Sequence, residues 1–403
     1  MQPGAAFGAR LFPHLAGADK AAAKDPRRKA DLPATTPEVM LVGSNPTRLW
    51  GLGMDERVRR IARAQKLPLA DGPGDGPALL VNLAFVFDPA WLRYFAGRPG
   101  EALTREGQVV LAYCRDDAEQ AAVRAAIEAG GEPAGTGLTL TAHESGATAV
   151  NTELRKREQP FAMRLEPASV RAAERASYYG AYKGVTDVLT KYLWPEWALV
   201  LTRLAARAGI SPNMVTTVGA ILCVAATILF WYGHYWSGLA LGLVFMVLDT
   251  VDGKLARCTI TSSKWGNVFD HGIDLVHPPF WWYAWGVGLG AWGLAVHPSE
   301  FNLLMAVIVG GYVVQRLIEG AFMRFYGMHI HVWRRFDSDF RLITARRNPN
   351  MVILFVSLIF QRPDIGLEAV AGWTVLSCAV HLVRLIQAMV VSARGTPIRS
   401  WLD

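Results

Sequence analysis

Four aspartates, Asp249, Asp252, Asp270 and Asp274, lie in apolar stretches of the chain, where ionisable groups are costly and usually functional. Asp249 and Asp252 are spaced i, i+3, and Asp270 and Asp274 i, i+4, so on helices each pair shares one face. If the two faces meet, four carboxylates converge, and their repulsion in a low dielectric calls for a compensating cation. Hard oxygen donors at this density suit Mg2+ or Mn2+, above all where phosphate completes the shell. The neighbours agree with phosphate. Gly253 and Ala256 leave little side chain between the helix and a bulky ligand. Arg257, one turn past Gly253, offers a forked and permanently charged group. Gly266 opens the next helix with another small surface.

The elements that must position these residues follow from composition. The 403 residues are 52% hydrophobic with 14 Trp, and the apolar residues are unevenly spread. Up to about Ala206 the chain reads as soluble, and beyond Pro212 it is mostly long apolar runs. A bilayer core needs roughly 20 apolar helical residues. Six stretches are candidates: Asn213–Gly233, Trp236–Ala256, Gly266–Trp292, Leu303–Phe325, Pro349–Phe360 and Gly366–Val391, the fifth short on its own. The turn after the second holds Lys254, Arg257 and Lys264, and the loop after the fourth holds Arg334, Arg335, Arg341, Arg346 and Arg347. By the positive-inside rule these loops and both termini are expected to be cytoplasmic. The net charge of +7 is spread around apolar segments instead of forming one stripe, which excludes nucleic acid as the expected partner and leaves membrane lipids. Cys114, Cys223, Cys258 and Cys378 show no metal or disulfide spacing and read as unpaired thiols.

Residues 1–37 read as a disordered Ala-rich tail. Over 38–165, Val39–Val42, Ala78–Leu83, Val109–Ala112 and Leu138–Leu140 read as strands, alternating with helical stretches such as Glu56–Gln65 and Ala118–Ala129. Such alternation predicts a small α/β domain with a largely parallel sheet. Residues 166–210 carry Leu189, Tyr192, Leu193, Trp197, Leu201 and Leu204 at helical spacing among basic residues, which predicts an amphipathic linker helix at the membrane interface. The expected fold is an N-terminal small α/β domain plus a C-terminal all-α six-helix transmembrane domain over 211–394.

The run Asp249-x-x-Asp252-Gly253-x-x-Ala256-Arg257, eight residues, Gly266-x-x-x-Asp270-x-x-x-Asp274 resembles the signature of the CDP-alcohol phosphotransferase family at every defined position. The resemblance covers roughly Lys183 to Val391. It implies a metal-dependent transferase of six membrane helices, acting on a CDP-alcohol donor and a hydroxyl acceptor, a lipid or a phosphorylated polyol, and forming a homodimer. It implies that Asp249, Asp252 and Asp270 hold the metal and that Asp274 completes the site and acts as general base. Gly253, Ala256 and Arg257 would cradle CDP, joined by Asp252 and Gly266. The family's Pro-Asn-x-x-Thr start to the first span is matched by Pro212, Asn213 and Thr216, and its small hydroxyl residue after the arginine by Ser263. The basic loop from His329 to Pro349 is open to two readings: Arg341, Arg346 and Arg347 clamp a phosphorylated acceptor, or they meet anionic headgroups.

Residues 38–165 resemble, in degenerate form, the nucleotidyltransferase-like domain that precedes the membrane domain in fused relatives. Val39–Gly43 with Thr47-Arg48-Leu49 matches its first strand and nucleotide loop, and Phe87-Asp88-Pro89 a later strand end. The Gly-rich loop with its following lysine is absent, so a regulatory or scaffolding domain is expected, with a bifunctional enzyme that makes its own donor as the alternative. A divalent-cation transporter is the rival from another class; it predicts polar residues deep in several spans, whereas here they gather at one level.

Overall fold

The computed structural model describes residues 36–70, 72, 76–146 and 148–403; the expected tail at 1–37 lies almost wholly outside the described residues. The strands are β1 (Glu38–Val42), β2 (Ala78–Asn82), β3 (Phe85–Phe87), β4 (Glu101–Arg105), β5 (Gln108–Cys114), β6 (Thr139–Ala142), β7 (Ala149–Asn151), β8 (Lys156–Glu158) and β9 (Ala162–Arg164). The helices are α1 (Met54–Gln65), α2 (Pro89–Ala96), α3 (Asp117–Ala129), α4 (Val170–Gly180), α5 (Pro195–Arg207), α6 (Pro212–Trp231), α7 (Tyr235–Cys258), α8 (Lys264–Trp292), α9 (Pro298–Tyr326), α10 (Arg335–Arg341), α11 (Arg347–Ile359) and α12 (Pro363–Ala393). The chain divides into two units. Of the described residues, the first takes those up to Val42 with those of Gln65–Asn82 and Pro89–Ala142, and the second those of Gly43–Ala64, Leu83–Asp88 and His143–Asp403.

In the first unit a sheet runs in the order β1-β2-β5-β4-β6. It is mixed, not largely parallel as the strand–helix alternation predicts: β1–β2 and β4–β6 are parallel, and β2–β5 and β4–β5 antiparallel. The cause is a tight hairpin. Glu106 and Gly107 both take positive φ between Arg105 and Gln108, the two-residue turn whose twist matches that of the strands. Met40, Leu80, Ala102, Val109, Ala112 and Val123 pack together as the core. Asp116 caps α3 by accepting from the Glu119 N–H, and Gly130 ends it in the left-handed region, as expected for N-cap and C-terminal signals.

In the second unit β3 pairs with β9 and β7 with β8. The linker expected as one helix over 166–210 is instead α4, a π turn at Leu189–Leu193 and α5. Pro195, at the first position of α5, has no N–H to continue a preceding helix. Trp197, Val200, Leu201 and Leu204 of α5 are exposed, an apolar face suited to lipid.

Helices occupy all six stretches expected as spans. Among the described residues three helices are long and apolar enough to cross a membrane by themselves: α6, α9 and α12. On α6 the exposed residues Met214, Val218, Ile221, Val224 and Ile228 form one apolar stripe, the pattern of a lipid-facing helix. Helices α7 and α8 carry the aspartates, and α11 has 13 residues, about 20 Å of helix against a hydrocarbon layer of about 30 Å. Trp281, Trp282, Trp285, Phe230, Tyr235 and Leu289 centre the helical core. Tyr235 Oη donates to the Trp285 carbonyl at 2.6 Å and Trp281 Nε1 to the Cys223 carbonyl at 3.1 Å.

The turn from α6 to α7 lies directly against Gly288 of α8. A Cβ there would fall onto the Phe230 carbonyl oxygen and within 2.9 Å of the Gly233 nitrogen, whereas one at Gly290 would meet nothing. Gly288→Ala is expected to destabilise the protein in detergent by about 3 kcal/mol, through overpacking against backbone that cannot yield. Gly290→Ala is expected to be neutral or to stabilise by about 0.5 kcal/mol. Thermal unfolding of the two variants side by side checks this.

Candidate active site

Helices α7 and α8 are joined by five residues, and the aspartates stand at matched heights on either side of that turn. Asp252 precedes Cys258, the last residue of α7, by as many positions as Asp270 follows Lys264, the first of α8, about 9 Å of helix in each case. Ser263 caps α8 by accepting from the Gly266 N–H at 3.0 Å. The result is a compact acidic group: carboxylate oxygens of Asp249, Asp270 and Asp274 all lie within 4.8 Å of one another. Two like charges at that separation repel by roughly 3 kcal/mol at an effective dielectric near 20.

Asp252 is 3% exposed and is held beside this group. Thr216 Oγ1, from the start of α6, donates to its Oδ2 at 2.6 Å, and the Gly253 N–H donates to its Oδ1. Thr216, Gly219, Phe245, Asp249, Asp252, Asp270 and Ile273 line one narrow cleft. All four expected aspartates therefore reach one locality, and the tightest three include Asp274 in place of Asp252. Asn213 Oδ1 stands 3.0 Å from where a Gly266 side chain would begin, and the Arg257 guanidinium 3.0 Å from the same point on Gly253. Both glycines are thus places where a side chain would crowd the polar groups. Ala256 lies between them in sequence, half-buried on α7.

The cation now facing the acidic group is a guanidinium. Arg347 Nη1 donates to Asp274 Oδ1 at 2.7 Å and Nη2 to Asp249 Oδ2 at 2.8 Å, with the guanidinium carbon over the Phe245 ring, 5.0 Å from its centre. Of the arginines read either as a phosphate clamp or as headgroup contacts, Arg346 and Arg347 diverge. Arg346, the residue before α11, turns its side chain to Glu319, with His331 Nε2 at 3.2 Å. Adjacent positions at a helix start point in different directions, so their neighbouring places in sequence do not make them a pair. Asn348 completes the fan, its amide donating to Asp187 Oδ1 at 2.9 Å, which also accepts from the Thr190 N–H.

A basic wall stands near the carboxylates. Burial lowers the Lys183 ammonium below its usual pKa, Arg155 and Arg257 act in the same direction, and Asp270 and Asp274 oppose them. Burial and then Arg346 bring Arg155, in the β7–β8 turn, down to about 10, with Glu319 opposing. Arg341 is lowered by burial, Arg346 and Arg155 against Asp187, and its Nε and Nη1 find no partner among the described residues. Glu319, His331 and His381 form a second set with ligand atoms within 4.8 Å. Arg346 and Arg316 both pair with Glu319, so the one carboxylate of that set is already engaged by two guanidiniums.

Sequence reasoning missed Lys183, Asp187, Arg155, Asn348 and Tyr312. Tyr312 answers a signal that was present, the Pro278-Pro279 pair inside α8. Pro279 cannot donate to the Leu275 carbonyl, and Tyr312 Oη does so at 3.0 Å, steadying the helix one residue from Asp274.

The arrangement offers hard oxygen donors to a cation, small surfaces and a guanidinium to a phosphate, and an exposed carboxylate, Asp274, to a hydroxyl. The profile of the CDP-alcohol phosphatidyltransferase family matches residues 209–336. Cholinephosphotransferase 1 of Gallus gallus is 33% identical over 127 residues, 29% of this chain and 36% of that protein. Phosphatidylinositol phosphate synthase of Streptomyces avermitilis is 34% identical over 93 residues, 22% of this chain and 38% of that protein. The chain thus spans little more than a third of the length of either. Archaetidylinositol phosphate synthase of Pyrococcus horikoshii is 25% identical over 190 residues, 45% of this chain and 86% of that protein. Among solved structures, phosphatidylinositol phosphate synthase of Mycobacterium tuberculosis in complex with manganese and citrate aligns with a TM-score of 0.36 and 19% identity, over 47% of this chain and 88% of that one. The matched segment, residues 209–336, contains the whole helix–turn–helix of aspartates, and over it the chain is similar to the CDP-alcohol phosphatidyltransferase family.

Proposed function

We propose that the protein transfers a phospho-alcohol from a CDP-alcohol to a hydroxyl acceptor with release of CMP, at the cytoplasmic face of a membrane. The observation that carries this reading is the convergence of Asp249, Asp270 and Asp274, with Asp252 alongside, next to Arg257 and the basic wall. The donor set, all carboxylate oxygen, fits Mg2+ or Mn2+; the four aspartates would hold the ion, which would neutralise the diphosphate and the charge developing on CMP.

The chain's own residues account for the rest. Gly253 and Ala256 let the nucleotide approach the α7 backbone, and Arg257 meets the diphosphate. Thr216 fixes the rotamer of Asp252. Asp274, 43% exposed at its side chain, takes the proton of the acceptor hydroxyl as its oxygen bonds to the phosphorus bearing the alcohol and the bond to CMP breaks. The buried, unpartnered nitrogens of Arg341 favour an acceptor that itself carries phosphate, since a buried guanidinium calls for an anion. With Arg346 and Arg347 engaged by carboxylates, Arg341 is the expected contact to that group.

Asp274→Asn is expected to keep CDP binding and to slow CMP release by about 10^3-fold, the usual worth of a positioned base. Binding and turnover of the purified variant check this, and release at the wild-type rate would remove the base assignment. Arg341→Ala is expected to raise the acceptor KM about tenfold, with a smaller effect on the donor KM. An unchanged KM for a phosphorylated acceptor would return the basic loop to the lipid headgroups.

A further inference from the structure

The turn between the two acidic helices is closed in a conformation that its own sequence does not favour. The Thr261 N–H donates to the Ala256 carbonyl at 2.8 Å and the Ile260 N–H reaches the Arg257 carbonyl at 3.4 Å, the closure in which the residue past the C-cap turns left-handed. That residue is Ile260, with φ of 52°. Glycine is the usual occupant, and a β-branched side chain there is strained and persists only where its surroundings over-determine the backbone. The carbonyls of Cys258 and Thr259, freed by the helix end, point to α1. Arg57 Nη1 donates to the Cys258 carbonyl at 2.7 Å and Arg60 Nη1 to the Thr259 carbonyl at 3.1 Å.

These arginines are fixed in place. Arg57 is 2% exposed. Glu56 accepts from Arg60 Nε at 2.7 Å. Trp50 Nε1, just before α1, donates to Ser177 Oγ of α4 at 2.7 Å. Two cations at a helix C-terminus also complement its dipole. Residues 50–60 lie outside the matched family domain at 209–336, so the domain's central turn is braced from a segment the family profile does not cover.

We propose that Arg57, assisted by Arg60, is a positioning residue for the carboxylate site: it holds the strained turn at Ile260 and thereby the register in which Asp249 and Asp252 face Asp270 and Asp274. This rests on the reading of those aspartates as a metal site. Without Arg57 the Cys258 carbonyl is buried and unmet, the turn relaxes, and the two carboxylate pairs move out of register.

The test uses the full-length protein in detergent, Mn2+ as probe, and hydrogen–deuterium exchange at the amides of Ile260 and Thr261 as a metal-independent readout. Arg57→Ala is expected to weaken Mn2+ binding tenfold or more, to raise the donor KM more than it lowers kcat, and to speed exchange in the turn. Arg57→Lys, which retains one donor, should recover part of each. Ile260→Gly placed on Arg57→Ala should restore Mn2+ affinity to within threefold of wild type, because glycine adopts the turn without a brace. Wild-type Mn2+ affinity and slow exchange in Arg57→Ala, or no recovery on adding Ile260→Gly, would overturn the proposal. If Arg57→Ala does not fold, Arg57→Lys with and without Ile260→Gly decides by the same measurements. If the wild type binds no Mn2+, the metal reading fails, and the exchange rates still decide whether Arg57 holds the turn.

Discussion

The arrangement depends on carboxylate repulsion. Asp249, Asp270 and Asp274 are held closer than their charges favour, and the chain keeps them there with packing on one side and a cation on the other. Trp281 and Trp285 of α8 are fully buried in the helical core, so α8 cannot swing away from α7 without opening that core. Arg347 supplies the positive charge from the first residue of α11. A guanidinium offers one charge to two carboxylates, leaving Asp252 and Asp270 to Thr216 and to the Lys183 side of the cleft. The excess of negative charge is what a divalent ion and its phosphate ligands would meet.

That constraint organises the neighbouring residues. Glycines stand where the two acidic helices carry polar groups close by, at Gly253 and Gly266, and where backbones touch, at Gly288. The consecutive prolines of α8 stand one turn past Asp274 and interrupt its ladder there, and Tyr312 from α9 takes up a carbonyl so released. Arg346, Arg347 and Asn348 fan from a single helix start to Glu319, to the aspartates and to Asp187. One short segment thereby links the acidic group to the buried cluster around His331 and His381.

Much of this was legible in the sequence because helical periodicity is local. The spacings of Asp249 with Asp252 and of Asp270 with Asp274 placed each pair on a face, and the six apolar runs became six helices. Strand positions in the α/β unit were readable for the same reason, but their pairing was not. The antiparallel β4–β5 hairpin turns on Glu106-Gly107, a weaker signal than Asn-Gly, and β4 itself went unread. The break of the linker at Ala181–Trp194 was hidden because its apolar residues keep helical spacing on both sides of the interruption. Partners distant in sequence were the least visible. Nothing near Arg57 indicates that it will meet Cys258, and nothing in the Arg346-Arg347 pair indicates that the two will part.

The most direct test of the central claim is electron paramagnetic resonance of Mn2+ titrated into the purified protein and into Asp249→Asn and Asp270→Asn. Saturable binding in the wild type that weakens at least tenfold in each variant is expected, since both helices would contribute ligands. Equal Mn2+ affinity in all three proteins would contradict that claim.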